Sequence, residues 1–231
     1  MQSKYSALFF SFSFYCSVCI PTVWAKSEPD TIPKQSSDYR AEKNYGVGLG
    51  FGSFIVPASG SGLLAHYNHS NEIQFELGLW SGSWDAKRLL DAIGSSTIDK
   101  FDVNFQLNQI RAKYFLGNSF YLAGGLGMRQ IEFDLSAISG STRIQENLKA
   151  NTNVFSLAIG NTWCFDNGLF IGGEWMALSK ALSSSVATHI RSEGVPTSDL
   201  ISLQADALDT ANTLAKATTI GLATFHIGWQ F

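Results

Sequence analysis

The sequence predicts an all-β fold, a closed antiparallel eight-stranded transmembrane β-barrel with short turns at one end and long loops at the other. Three observations predict it. Segments of about ten residues alternate between apolar and polar side chains through residues 44–231, as membrane strands do. Short and long links alternate strictly between these segments. The last strand is amphipathic and ends on Phe231, and such a strand escapes aggregation when it closes a barrel.

The N-terminus is predicted to be a secretory signal peptide over residues 1–25. Lys4 provides the basic start, an apolar run follows over 7–20, and small residues precede the cleavage point. The run is too short for a comfortable spanning helix, and an uncleaved anchor is the alternative. Residues 26–43 are polar, contain two prolines and lack periodicity. They are therefore predicted to be a disordered lead-in to a barrel domain at 44–231.

The composition fits a membrane barrel and also a soluble β-sandwich. Charged residues make up 15% of the chain and aromatic residues 13%, whereas soluble domains have roughly 25% charged residues. The net charge is −3, or −4 without residues 1–25, because Lys4 is their one charged residue. This balance argues against a nucleic acid partner, which needs a basic face. Cys16 and Cys19 leave with the signal peptide, so Cys164 has no partner for a disulfide.

Eight strand candidates each place their apolar residues on one face. The third is the clearest, with Phe75, Leu77 and Leu79 set against Gln74 and Glu76. Apolar faces are expected to meet lipid, and the opposite faces to line the lumen. The strands are predicted at about 45–55, 61–69, 72–84, 102–116, 119–134, 153–165, 168–181 and 217–231.

The fourth strand changes phase. Phe105 and Leu107 are apolar at odd positions, and Ile110 and Ala112 at even ones. One extra residue near Asn108-Gln109 restores a single lipid-facing side, so a β-bulge is predicted there. With that bulge, Phe105 and Leu107 face lipid.

The links carry independent information about topology. Three have tight-turn chemistry, at 70–71, 117–118 and 166–167. The four longer links are 56–60, 85–101, 135–152 and 182–216. This asymmetry is typical of membrane barrels. A soluble lipocalin-like or streptavidin-like barrel is the alternative, with its apolar faces turned inward.

Alternation, loop asymmetry and the terminal Thr-Phe-His-Ile-Gly-Trp-Gln-Phe resemble the eight-stranded bacterial outer-membrane family of the OmpA transmembrane domain, OmpX and OmpW-like proteins. The resemblance covers residues 44–231. It implies periplasmic turns, extracellular loops, and location in the bacterial outer membrane after secretion through a cleaved signal peptide. It also implies contact with outer-membrane lipid, lipopolysaccharide and the barrel assembly machinery. The assembly signal consists of Phe225, Ile227, Trp229 and Phe231.

Eight strands leave room in the lumen for side chains alone, so polar lumen residues must satisfy one another. The predicted lumen network consists of Glu72, Glu76, Arg111, Lys113, Arg129, Glu174 and His226. Counting from the turns places Glu76, Arg111, Glu174 and His226 in one layer, with Arg129 higher as a second, partner-seeking centre. The network is either a satisfied polar plug or a gate that responds to titration of His226.

Other reactive side chains predict neither a metal site nor a cofactor. His66 and His69 lie near a turn with no third ligand spaced to complete a site. Cys164 is expected to be a small lumen residue, because no base is adjacent.

An enzyme is not predicted, although some related barrels act on lipid A. His69-Ser70-Asn71 resembles a deacylase-type motif, but it lies at the turn end, away from surface lipid A. His189, Ser192 and Glu193 share the last long link without a rigid frame. No arrangement therefore meets the requirement for a positioned nucleophile, base and acid.

Two of the long links contain helical patterns, at 85–94 and 198–215. Their apolar stripes either cap the barrel or bind a host or envelope partner through links 85–101 and 182–216. The predicted function is that of a monomeric structural or adhesive protein that recognises partners through its loops. A small channel or OmpW-like carrier of hydrophobic compounds is the first alternative, and a lipid A-modifying enzyme the second.

Overall fold

The computed structural model describes residues 34–231 except 56–57, 86, 88–97, 140–141, 194–204, 206–207 and 210. The predicted signal peptide and the start of the lead-in lie outside the described residues, as does most of the predicted helix at 85–94. Within the described ranges, no helix is long and apolar enough to span a bilayer.

Eight antiparallel strands form one closed sheet, which confirms the predicted fold class. The strands are β1 Tyr45–Ile55, β2 Ala58–Asn68, β3 Ile73–Asp85, β4 Ile98–Phe115, β5 Phe120–Ser139, β6 Thr142–Cys164, β7 Leu169–Glu193 and β8 Thr219–Gln230. Each strand pairs with its neighbours in sequence, and β1 also pairs with β8. A path that starts at Gln230 on β8 and follows directly paired residues once around the sheet returns to β8 at Thr219. Because the path does not return to its starting residue, the strands are strongly tilted relative to the barrel axis, as closure of a barrel requires.

Three tight turns lie at one end of the barrel, at the three places predicted. Each is closed by a backbone hydrogen bond, from His69 to Ile73, from Leu116 to Phe120 and from Phe165 to Leu169, at 2.8–2.9 Å. Tyr45 and Phe231 also pair at this end, with backbone N···O distances of 2.8 and 3.2 Å. We call it the turn end, and the opposite end the loop end.

The strands differ greatly in length, and this corrects two predicted loops. β1 and β2 have 11 residues each, whereas β6 has 23 and β7 has 25. At about 3.3 Å per residue, β7 is roughly 80 Å long and β1 roughly 36 Å. Most of the predicted link 135–152 and the first part of 182–216 are therefore strand. Several of their exposed side chains are polar, among them Gln145, Asn151, Ser183 and Ser185, so these segments resemble loops in the sequence.

A short helix, α1 (Ser36–Glu42), precedes β1. It lies within the lead-in that was expected to be disordered, so that expectation fails for this segment. Seven residues are too few for a helix that is stable alone. Contacts with the turn end, described below, hold α1 in place.

The outward face of the barrel carries an apolar belt near the turn end. The belt consists of the outward-facing residues of 45–51 (β1), 63–67 (β2), 73–79 (β3), 110–114 (β4), 120–128 (β5), 155–163 (β6), 169–178 (β7) and 220–229 (β8). Large apolar side chains in it are widely exposed, for example Ile110 at 64% and Met128 at 62%. A water-facing surface does not normally hold so large an apolar patch.

Towards the loop end, the outward face of the barrel becomes polar and the inward face becomes mainly apolar. Strand β4 shows this exchange of the two faces best. Its pairing with β3 is unbroken from Tyr114 to Asp102, so the predicted bulge near Asn108-Gln109 is wrong. Phe105 and Leu107 point into the barrel and are 2% and 5% exposed, not lipid-facing as predicted. Asn104, Gln106 and Asn108 point outward. The alternation of inward and outward side chains continues unchanged along β4. The apparent change of phase arises because the outward side chains are apolar near the turn end and polar near the loop end.

Candidate functional site

The lumen near the turn end contains a buried layer of four charged side chains. Arg111 donates hydrogen bonds to the carboxylates of both Glu76 and Glu174. The second oxygen of Glu76 lies 2.6 Å from Lys113 Nζ. The side chains of the four are at most 6% exposed. Two carboxylates thus face two cations, which balances the formal charge of a layer that water does not solvate.

Two histidines lie beside this charged layer without a hydrogen bond to it. His226 Nε2 and Thr162 Oγ1 are 3.1 Å apart, a hydrogen bond whose direction depends on the tautomer. His66 packs edge-on against Phe170, with ring centroids 4.8 Å apart. A Cβ on Gly172 would lie 2.2 Å from His226 Nε2, so glycine leaves the space for that ring.

Below the charges, amide side chains form a hydrogen-bonded chain across the barrel. Gln74 donates to Asn68 Oδ1 at 2.7 Å. Asn68 donates to the Lys43 carbonyl at 2.6 Å and to Gln230 Oε1 at 3.3 Å. Gln230 in turn donates to Cys164 Sγ at 2.8 Å. Cys164 is therefore a buried member of this chain.

Helix α1 packs against the turn end through Arg40, which is fully buried. The Arg40 guanidinium donates to the carbonyl of Asn71 at 3.0 Å and to that of Asn118 at 2.7 Å. It also lies 3.7 Å from the centre of the Phe115 ring. Burial lowers the pKa of Arg40, although an arginine stays protonated at neutral pH. The side chain therefore joins two different turns beneath the lumen.

Above the charges, the lumen contains an apolar core. This core consists of Ala58, Leu64, Trp80, Val103, Phe105, Leu107, Ile131 and Val154. The Trp80 ring lies over the two neighbouring strands β2 and β1, since a Cβ on Gly62 or Gly50 would lie 2.4 or 2.2 Å from it. A void of about 20 Å³ lies between the apolar core and the charged layer. It has room for about one water molecule.

Arg129 forms a separate centre near the loop end and is 1% exposed. Its guanidinium donates to the carbonyls of Ala215 and Ala217 at 2.9 and 3.1 Å, and to Thr219 Oγ1 at 2.7 Å. The chain is helical over 211–216, which overlaps the end of the helix predicted at 198–215, and Ala215 is fully buried. Arg129 therefore fixes the end of this helix inside the barrel.

The structure thus brings Glu76, Arg111, Lys113 and Glu174 into contact and places Arg129 apart from them. His226 lies near the four but bonds to Thr162. Glu72 departs from the prediction, because β3 begins only at Ile73 and Glu72 is exposed in the turn. Sequence reasoning also missed Arg40. The single arginine in an otherwise unremarkable polar segment gives no sign of its burial.

The other residues that the sequence offered for metal binding or catalysis do not form a reactive site within the described part of the chain. Ser70 Oγ accepts hydrogen bonds from the backbone of Glu72 and Ile73, at 3.2 and 3.1 Å, and so closes its own turn. His69 lies beside Phe75, with ring centroids 6.3 Å apart. His189 is exposed on β7, and the side chains of 192 and 193 lie outside the description. No group of metal-ligating side chains is found among the described residues.

The outward side of β8 near the turn end is aromatic and exposed. The exposed fractions of the four predicted signal residues are 59% for Phe225, 41% for Ile227, 50% for Trp229 and 67% for Phe231. They belong to the same side as the apolar belt. Pairing with β1 on one edge and β7 on the other closes the barrel at this strand.

No family model and no curated protein matches the chain. Its fold is similar to the crystal structure of Acinetobacter baumannii CarO2, at 14% identity and TM-score 0.45, over 82% of this chain and 99% of that one. It is similar to Acinetobacter baumannii CarO at 14% and 0.41, over 80% and 96%. A major outer membrane protein from Thermus thermophilus gives 10% and 0.46, over 81% and 98%. Similarities of this size assign no function to the chain.

Proposed function

We propose that the chain is an integral bacterial outer-membrane protein, a closed barrel that anchors a surface-exposed sheet with a structural or recognition role. The observation that carries this proposal is the exchange of the two faces along the wall. Near the turn end, the outside is apolar and the inside charged. Near the loop end, the outside is polar and the inside is mainly apolar, with Arg129 bound within it. A barrel that stands half in hydrocarbon and half in water needs this arrangement.

The dimensions of the belt support the proposal. On β3 it runs from Ile73 to Leu79, and on β6 from Phe155 to Trp163. These spans approach the 9–11 residues with which a tilted strand crosses a bilayer. Tyr45, Trp163 and Trp229 are exposed close to the turn end, where an aromatic girdle meets the headgroups. The turn end is therefore assigned to the periplasm and the loop end to the outside of the cell.

The filled lumen favours an anchor over a channel or carrier. Along the axis, a charged layer is followed by an apolar core, with a void of about 20 Å³ between them. Neither a hydrated ion nor an apolar solute fits such a space. Strands β5–β7 extend far past the belt and offer the surface for a host or envelope partner, together with the links around them. We infer a monomeric, non-catalytic protein assembled by the barrel assembly machinery.

Heat-modifiable gel mobility of the outer-membrane fraction tests membrane insertion, and planar-bilayer conductance tests closure. We expect a mobility shift and no channel steps, for wild type and for Arg111→Ala. A soluble chain without a mobility shift overturns membrane insertion. Reproducible channel steps from the wild type overturn the closed anchor, and steps from Arg111→Ala alone support a gate instead.

Cysteine labelling of intact cells tests the orientation, with Cys164→Ala as background. A membrane-impermeant maleimide should label Gln106→Cys from outside. Asn167→Cys, in a tight turn, should react only after the outer membrane is permeabilised. Leu77→Cys, in the belt, is the matched control and should stay unlabelled. Equal labelling of Leu77→Cys and Gln106→Cys contradicts a bilayer around the belt.

A further inference from the structure

Helix α1 is fastened to turns on opposite sides of the barrel. Through Arg40 it is bound to the β2–β3 and β4–β5 turns. Ser36 Oγ accepts a hydrogen bond from the backbone N–H of Cys164, at the end of β6, at 3.0 Å. Lys43, which directly follows α1, donates to the carbonyl of Asp166 in the β6–β7 turn at 3.0 Å. We call α1 together with Lys43 the strap.

The site that binds the strap is formed by distant parts of the chain. The hydrogen bonds of Arg40 and Ser36 join residues that are 31 to 128 positions apart in sequence. The β2–β3 and β6–β7 turns are four strands apart in either direction around the ring. Arg40 is fully buried because the turns enclose it, and an open sheet offers no such enclosure. The complete site therefore exists only after the barrel has closed.

The pairing between β1 and β8, which we call the seam, is the weakest part of the closed sheet. Its directly paired residues run only from Gly46 to Ser53 on β1, the shortest of the strand pairings in the described part of the chain. Gly46, Gly48 and Gly50 contribute no side chain to it, and glycine weakens a strand. The register also shifts between Phe51 and Ser53. We expect the barrel to open here, because the fewest backbone hydrogen bonds break.

The strap connects the two flanks of the seam at the turn end. It leads directly into β1, whereas its bonds to Cys164 and Asp166 lie beyond β8. The carbonyl of Lys43 accepts a hydrogen bond from Asn68 Nδ2 of β2 at 2.6 Å, and Asn68 also donates to Gln230 Oε1 of β8. Separation of β1 from β8 moves these partners apart. The bonds of the strap must therefore break when the seam opens.

We propose that the strap holds the closed barrel shut at the β1–β8 seam and binds only after closure. It slows unfolding and does not direct folding. Contacts that form after the rate-limiting transition state affect the unfolding rate and leave the folding rate almost unchanged. The inference goes beyond the proposed function, since it concerns how the barrel stays closed and not where the protein resides.

Folding and unfolding rates in lipid vesicles, followed by gel mobility in urea, test the proposal. Arg40→Ala should raise the unfolding rate about tenfold, because hydrogen bonds from a charged donor are among the stronger ones. It should change the folding rate by less than about twofold. Lys34→Ala also removes an exposed cation, but one that is bonded to Glu42 within the same segment, so it is the matched control and should change neither rate. Lys43→Met loses only the bond to the β6–β7 turn and should raise the unfolding rate about threefold; it serves if Arg40→Ala does not fold.

Cross-linked barrels test the location, in a Cys164→Ala background. Leu49→Cys/Ile227→Cys, joined by a short bifunctional thiol reagent, ties β1 to β8, since the two residues pair directly. In that barrel Arg40→Ala should raise the unfolding rate by less than about twofold, because the seam can no longer open. Leu63→Cys/Leu79→Cys is the matched cross-link between β2 and β3, and it should leave the effect of Arg40→Ala in place.

Three outcomes overturn the proposal: equal unfolding rates for Arg40→Ala and Lys34→Ala, an effect that survives the cross-linked seam, or slower folding of Arg40→Ala with unchanged unfolding. The last outcome would show that α1 acts before closure. Heat-modifiable mobility of wild type separates this proposal from the previous one. Absence of the shift refutes membrane insertion, and the same rate ratios are then measured in detergent by tryptophan fluorescence.

Discussion

Replacement of Arg111 by methionine gives the sharpest test of the charged layer. Arg111 is buried and donates to both Glu76 and Glu174. Among the described residues, Glu174 has no second cation within ion-pair distance, whereas Glu76 is also held by Lys113 at 2.6 Å. Arg111→Met therefore leaves the charge of Glu174 buried and unpaired. Breaking a buried pair in this way costs about 3–5 kcal/mol of unfolding free energy.

Two double variants separate charge imbalance from lost packing. Arg111→Met/Glu174→Gln removes the orphaned carboxylate and leaves the Glu76–Lys113 pair intact, so most of the lost stability should return. Arg111→Met/Glu76→Gln leaves Glu174 unpaired and removes the partner of Lys113. It should be no more stable than the single variant. The two doubles are matched in size and in the number of changes.

Urea unfolding in lipid vesicles, followed by tryptophan fluorescence and gel mobility, measures these differences. A loss below about 1 kcal/mol for Arg111→Met is the range of a solvent-exposed pair, and it would refute a dry charged layer. Equal stability of the two doubles would refute the assignment of Glu174 as the orphaned charge. Either result would also weaken the case for a closed lumen.

Three further predictions concern the ends of the barrel and its packing. Arg40→Ala should release α1 from the turns, so that limited proteolysis cleaves the N-terminal segment faster than in wild type, whereas Arg40→Lys should restore part of the protection. Gly172→Ala should lower the unfolding free energy by about 1–3 kcal/mol in the urea assay, because its Cβ meets the His226 ring at 2.2 Å. His226→Ala should relieve that loss, and the outward Gly124→Ala, 3.6 Å from its nearest neighbour, should have little effect. Arg129→Ala should expose the helix that it fixes to surface protease in intact cells, and unchanged cleavage would show that Arg129 does not hold it.

The sequence was sufficient for the topology because alternation and turn chemistry are local signals. The three tight turns lie where Ser70-Asn71, Gly117-Asn118 and Asp166-Asn167 predict them. Counting from those turns also brings Glu76 and Arg111 to the same height, and they pair directly across β3 and β4. The long side chains of Glu76 and Arg111 can then reach each other in the lumen.

The loop end was harder to predict because two different structural causes give the same sequence pattern. In β4, an extra residue and an exchange of environment both move the apolar positions from odd to even. Pairing partners decide between them, and they are not visible in one strand alone. A signal was present in neighbouring strands, since Ser81, Gln130 and Asn153 keep the phase of the belt while turning polar. A bulge in β4 alone cannot explain a change shared by four strands.

The exchange of faces also determines how deep the barrel stands in the bilayer. An outward shift by two residues brings Ile110 and Met128 into water, where their exposed apolar surface loses its lipid contact. An inward shift brings the exposed Asn108 into hydrocarbon, and an unpaired amide there costs about 1–3 kcal/mol by protein mutational data. Both displacements are opposed around the wall, so the depth is defined to about one residue pair.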